Sequence, residues 1–165
     1  MISEQNRGRP ASWLLLSTLV ILADQVSKAF IAGHYLEFEF TRILPVLDII
    51  CLHNVGAAFS FLASASGWQR WLFIGLACVV SIGITIWLVR LPRGTHALLA
   101  ARLALVLGGA LGNVIDRIRL GFVIDFIHFH WERAYFPAFN VADSAITIGA
   151  ACLLLDALFE ARRKN

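Results

Sequence analysis

Charge is what this chain has least of. Only 15% of its 165 residues are Asp, Glu, Lys or Arg, where a soluble domain carries about 25%. Cysteine is sparse too. Cys51, Cys78 and Cys152 are odd in number, far apart and without a C-x-x-C spacing, which argues against a disulfide framework or a zinc site. Cys78 and Cys152 fall inside apolar runs, where a thiol acts as a small hydrophobe. No H-E-x-x-H, G-x-S-x-G or S-x-x-K occurs, so zinc-protease and serine-nucleophile chemistries have no anchor. Walker and Rossmann glycine patterns are missing as well. No internal repeat or low-complexity segment is evident.

What the chain does have is long apolar runs. Hydrophobic residues make up 59% of it, and Trp71–Val89 holds 19 consecutive residues without a charge. At about 1.5 Å rise per residue such a run nearly crosses a hydrocarbon core of about 30 Å. A soluble core helix would show a polar face, and this run shows none. The fold class expected is an integral membrane protein, mainly α. It is a four-transmembrane-helix bundle with a small extracytoplasmic β-sheet element between helices 1 and 2.

The expected organisation is one membrane domain over residues 1–165. Its spans cover about 11–32, 68–89, 97–118 and 140–158. Residues 33–67 and 119–138 are the extracytoplasmic segments. A cleaved leader competes for the first run, because basic residues precede it. The apolar stretch is too long for an h-region, and no clear A-x-A site follows. Within 33–67, Glu37–Arg42 alternates polar and apolar and reads as a short strand. Pro45 interrupts it, and Leu47–Leu52 forms a second strand. Asn54–Phe61 is an irregular or re-entrant piece. Arg90-Leu91-Pro92-Arg93-Gly94 is a tight turn. Residues 119–138 read as a loop with interfacial Trp131, Tyr135 and Phe136.

A net charge of +3 invites a nucleic-acid reading, but its distribution opposes one. Arg7, Arg9, Arg90, Arg93, Arg162, Arg163 and Lys164 cluster at the ends of apolar runs, with Arg102 one turn inside. That pattern suits topology signals better than a phosphate-binding stripe. It places both termini in the cytoplasm.

Charges inside the spans need a partner or a role, since each costs about 2.5–3.5 kcal/mol on insertion scales. Asp24 and Lys28 stand at i, i+4, within ion-pair reach; they form a neutralising pair or support a site. Asn54-Val55-Gly56-Ala57-Ala58-Phe59 is either a turn or a place of close backbone approach. Gly108 and Gly112 make a small-residue face for helix contact. Asn113, Asp116 and Arg117 share the adjoining face, for interhelical pairing or for substrate.

Asp125 is a lone acid in the apolar run Val123–Ile127, and Asp143 opens the fourth span. By itself Asp143 reads as an acid favouring a helix N-terminus, which leaves Asp125 unexplained. Topology puts both near the same outer boundary. Two carboxylates held close in a low dielectric share a proton. The charged one activates water and the protonated one polarises a carbonyl, the division of labour of aspartic proteases. An ion or proton transporter is the competing class, yet the middle of the second span carries no charge. A G-x-G-D intramembrane protease is a nearby alternative, and that motif is absent.

Five ordered motifs then carry a resemblance. They are Asp24-Gln25 with Lys28, Asn54 with Gly56-Ala57-Ala58-Phe59, Gly112-Asn113 with Asp116-Arg117, Val123 with Asp125-Phe126, and Phe139-Asn140 with Ala142-Asp143. The chain resembles the bacterial lipoprotein signal peptidases, or signal peptidase II. The resemblance implies an aspartic endopeptidase of the bacterial inner membrane, with its active site near the outer, periplasmic face. It would remove signal peptides from diacylglyceryl-modified prolipoproteins, cutting just before the lipidated cysteine. Asp125 and Asp143 would be the catalytic dyad. Asn54, Asn113, Arg117 and Asn140 would line the substrate site, with Asp24, Lys28 and Asp116 in support. It implies no metal or organic cofactor and sensitivity to globomycin-type cyclic peptides. Membrane lipids are the surroundings, nucleic acid is not a partner, and nothing demands more than a monomer.

Overall fold

The computed structural model describes residues 10–56, 67–92 and 97–164. Among these, four helices are long and apolar enough to cross a membrane: α1 (Pro10–His34), α2 (Trp68–Arg90), α3 (Ala97–Arg119) and α4 (Val141–Lys164). Alternating connections carry strands β1 (Phe40–Leu44), β2 (Leu47–Asn54), β3 (Val123–Trp131) and β4 (Ala134–Tyr135). The chain is thus a multi-pass membrane protein with a small antiparallel sheet. Ala57–Phe61, part of the expected irregular piece, lies outside the described residues.

The bundle is arranged around α3. Its buried side carries Ala100, Leu103, Ala104, Leu107, Gly112, Asn113 and Asp116. Helices in lipid gain little from excluding one another's apolar groups, so close backbone approach decides where they pack. A Cβ on Gly108 would stand 2.7 Å from the carbonyl oxygen of Ser17 on α1, and one on Gly109 would stand 2.3 Å from that of Ala142 on α4. The small-residue face expected at Gly108 and Gly112 is therefore one part of a stripe serving both neighbours. Ile84 and Leu88 of α2 pack on Ala100, Leu103 and Leu107 from the third side.

On α1 the polarity is inverted relative to a soluble helix. Leu15, Leu19, Leu22, Val26 and Phe30 are exposed, and their spacing makes one lipid-facing stripe. Ser17, Asp24, Lys28 and Ile31 are buried on the opposite side. Lipid tails solvate the leucines, so the polar groups turn inward to partners.

The sheet differs from the sequence expectation in extent. The first strand starts at Phe40 rather than Glu37, because Phe38 takes a left-handed φ of 68° in a tight turn. That turn is closed by Phe38 N–H to Cys51 O at 2.8 Å and Glu39 N–H to Leu36 O at 3.0 Å. The strand runs on to Leu44, and Pro45 lies in the tight turn before Leu47. The largest departure is in 119–138. The expected loop contains β3, which pairs with β2 (Leu52 opposite Asp125, Asn54 opposite Val123) across a register shift between Ile49 and Leu52. Such a bulge bends the strand and re-aims its side chains. Strand order is β1-β2-β3-β4, so both connections build the sheet. Ile31 of α1 packs with Cys51, Ile124 and Phe126 to seat it on the bundle.

Candidate active site

Asp125 lies on β3 and is 3% exposed. Asp143 lies in the first turn of α4 and is half-buried. Asn140, immediately before α4 and fully buried, connects them. Its Nδ2 donates to Asp125 Oδ1 at 2.7 Å. Its Oδ1 accepts the Asp143 N–H at 2.9 Å, while Asp143 Oδ2 accepts the Asn140 N–H at 3.3 Å. This reciprocal exchange has the form of a capping box, with Asn at the cap and Asp three residues on. Asp143 is therefore both a helix-terminus acid and a member of the pair.

Two further amides complete the setting. Asn54 Nδ2 donates to Asp125 Oδ2 at 2.8 Å, while its Oδ1 accepts the Gly56 N–H at 2.8 Å. The turn reading and the site reading of Asn54 are both realised. Asn113 Nδ2 donates to Asp143 Oδ1 at 2.7 Å, and its Oδ1 accepts from Lys28 Nζ at 2.9 Å. The ammonium on one side and the carboxylate on the other orient this amide.

Behind Asn113 sits a buried ionic cluster. Lys28 Nζ lies 2.8 Å from both Asp24 Oδ2 and Asp116 Oδ2. Asp24 Oδ1 also accepts the Ala142 N–H at 2.9 Å, which ties α4 to α1. Gln25 Nε2 donates to Asp116 Oδ1 at 2.8 Å. Asp24 and Lys28 form the expected pair, and Asp116 joins them as a third member rather than pairing with Arg117. Arg117 Nη1 donates to Asn113 O at 3.3 Å, and its guanidinium stands 5.3 Å above the Phe73 ring of α2, a cation–π distance. Its charge acts on both Asp143 and Asp125.

The nine residues singled out from the sequence thus come together in one connected region. Gln25 and Phe73 were not singled out as site residues. Gln25 had only its adjacency to Asp24 as a signal, and Phe73 had none inside its apolar run. His130 of β3 is buried, its Nε2 3.2 Å from Asp48 Oδ2, in a cluster away from the dyad.

Electrostatics singles out Asp125. Burial, the largest cause, raises Asp125 to about 7 from 3.8. Asp143's charge adds to the rise, while hydrogen bonds from Asn54 and Asn140 and the charge of Lys28 oppose it. A carboxyl poised near neutrality beside a more accessible partner suits acid–base work on a substrate. Among the described residues no His/Cys/Asp/Glu group is placed to hold a metal ion.

Fold and site together define a multi-pass membrane enzyme with a carboxylate pair at one end of its helix bundle. Comparison with known proteins narrows this. The model of the signal peptidase (SPase) II family matches residues 16–159. A lipoprotein signal peptidase of Acinetobacter baylyi is 53% identical over 147 residues, 89% of this chain and 82% of that one. The lipoprotein signal peptidase of Pseudomonas aeruginosa is 54% identical over 155 residues, 93% of this chain and 90% of its own. A bacterial membrane enzyme solved by the in meso method at 2.3 Å is 27% identical, with a TM-score of 0.84 over 99% of this chain and 97% of that one. The chain belongs to the signal peptidase II family of proteases.

Proposed function

We propose that this protein is an aspartic endopeptidase that removes signal peptides from diacylglyceryl-modified prolipoproteins, cutting before the lipidated cysteine. The observation that carries the reading is the pair Asp125 and Asp143, bridged by Asn140, with burial raising Asp125 to about 7. Asp143, the more accessible member, takes a proton from water. Asp125, protonated, donates to the carbonyl oxygen of the scissile bond. Water attack gives a tetrahedral gem-diol, and a proton delivered to the amine completes cleavage.

The amides have a matching role. Asn54, Asn113 and Asn140 each donate to a dyad carboxylate, and Arg117 provides positive potential beside them. With substrate present these groups hold its backbone. Asp24, Lys28 and Asp116 keep α1, α3 and α4 in register beneath the dyad.

Location follows from the same reading. The basic residues at the chain ends and at Arg90 favour cytoplasmic termini. The sheet and dyad then lie near the outer face of the bacterial inner membrane. The protein acts as a monomer among membrane lipids, without cofactor, and is blocked by globomycin-type cyclic peptides.

The test is gel-shift cleavage of a lipidated prolipoprotein by purified protein. Asp125→Asn and Asp143→Asn should each lower turnover by about 10³-fold or more, at the upper range for general acid–base groups. Near-normal turnover in either variant, with the fold intact, would overturn the dyad.

A further inference from the structure

Helix α2 is mostly a lipid-facing element. Trp71, Leu72, Leu76, Val79 and Val80 are exposed, and Ile84 and Leu88 pack it on α3 toward its C-terminal end. Phe73, near its N-terminal end, turns toward the site. One turn earlier, Arg70 Nη2 donates to Ile118 O at 3.1 Å, which fixes this end of α2 against the end of α3. The Phe73 ring is thereby held between two groups of the site. Its face lies 5.3 Å from the Arg117 guanidinium. Its edge meets the backbone of Gly56, where a Cβ would stand 2.6 Å from Phe73 Cε2 and 3.0 Å from Cδ2. Gly56 also takes a φ of 100°, which glycine adopts without strain.

Both contacts lead to the carboxylates by short routes. Arg117 places its charge on Asp143 and Asp125. Its hydrogen bond to Asn113 O is long, at 3.3 Å, and holds the guanidinium weakly. The negative face of the ring gives that cation a second surface to rest on. On the other route, Gly56 N–H donates to Asn54 Oδ1 at 2.8 Å, and Asn54 Nδ2 donates to Asp125 Oδ2 at 2.8 Å. An amide whose oxygen is held has its nitrogen aimed. A packing residue needs only volume. Phe73 adds a face for a cation and an edge that fits a position with no room for a side chain.

We propose that Phe73 is a positioning residue for the dyad, acting on both aspartates through Arg117 and on Asp125 through Gly56 and Asn54. This rests on the function proposed above and adds the part that α2 plays in it. The two routes work in one direction. A cation beside a carboxylate and an amide donating to it both favour the ionised form. Loosening either lets Asp125 hold its proton to higher pH. The other charged and hydrogen-bonding groups acting on Asp125 are Asp143, Asn140 and Lys28. They stand on α4, just before it and on α1, so a change at Phe73 leaves them in place.

The experiment measures pH–rate profiles for cleavage of a lipidated prolipoprotein by the full-length protein in detergent micelles. Phe73→Leu, Phe73→Met and Phe73→Tyr are run beside wild type. Leu and Met keep an apolar side chain of similar size without a ring, the kind of exchange that packed sites tolerate best. Tyr keeps the ring face. Both ringless variants should lower the plateau kcat by about twofold to thirtyfold, the span of one cation–π contact. Their alkaline limb should move to higher pH by roughly 0.5 or more. Phe73→Tyr should stay within about twofold of wild type and keep its limb. Loss of packing alone would lower turnover and melting temperature with the limb unmoved. An unmoved limb in a ringless variant that melts near wild type would therefore overturn the proposal, whatever its kcat, and leave the protease reading intact. A limb displaced as far in Phe73→Tyr as in Phe73→Leu would overturn it too. Should one ringless variant fail to fold, the other carries the measurement. A wild type without an alkaline limb, or without cleavage of any lipidated peptide, would overturn both readings.

Discussion

Two carboxylate pairs lie within one hydrogen-bonded network and are treated in opposite ways. Asp24 and Asp116 share a cation, each 2.8 Å from Lys28 Nζ. Asp125 and Asp143 receive neutral amides from Asn54, Asn113 and Asn140. An ammonium in direct contact stabilises the ionised carboxylate strongly. An amide donor does so more weakly and brings no counter-charge. The difference separates a structural pair from a chemical one. Cation partners hold helices together, and amide partners position a carboxylate while leaving its proton free to move.

The sharpest way to break this contrast, after the dyad substitutions, is to remove the cation. Lys28→Met leaves Asp24 and Asp116 buried without their counter-charge, which costs about 3–5 kcal/mol. The expected outcome is a large drop in melting temperature in detergent. An unchanged melting curve would show that the cluster is not structural.

Asn113 stands at the junction of the two pairs. Asn113→Ala removes one hydrogen bond to Asp143 and one from Lys28. Hydrogen bonds to charged groups contribute about 1.5–3 kcal/mol, so kcat should fall by roughly 10–150-fold. A change confined to KM would place Asn113 in substrate binding alone.

Acidity gives the next test. With Asp125 acting as the protonated member near 7, turnover should decline about tenfold per unit well above pH 7. A flat alkaline limb in a pH–rate profile would assign the proton elsewhere.

The last test concerns how stability depends on pH. Asp125 has its folded value raised above the unfolded one, so between about 4 and 7 the folded state holds a proton that the unfolded state has lost. Stability therefore falls as pH rises through that window and levels off above it. Asp125→Asn should remove the fall, melting higher than wild type at pH 8 and by a smaller margin at pH 5. Equal pH dependence in the two proteins would contradict a buried, neutral Asp125.

Much of this was legible beforehand, and the residues show why. Spans could be read because hydrocarbon demands long uncharged runs, and α2 has one from Trp71 to Val89. Asp24 and Lys28 could be read because a single helix sets their spacing. Asp125 stood out as an acid among apolar neighbours. Its strand did not, because the alternation over Ile127–Trp131 is broken at the adjacent Phe126 and Ile127, before the acid is reached. Its pairing partner, β2, lies some 70 residues earlier. Asn113 showed on a helix face shared with Asp116 and Arg117, whereas Asn140 entered through family resemblance and not through any local pattern.

The amino-acid sequence by itself determined the membrane class, the four spans and the identity of the acids that are expensive to bury. These follow from local quantities: run length, charge and helical spacing. Only the tertiary structure decided that Asp116 joins Asp24 on Lys28 and that Asp125 receives the amides of Asn54 and Asn140, because these partners come from different parts of the chain. It also decided that Asp125 is the buried member of its pair and Asp143 the accessible one. Desolvation depends on everything packed around a side chain, and no stretch of sequence around either aspartate contains that information.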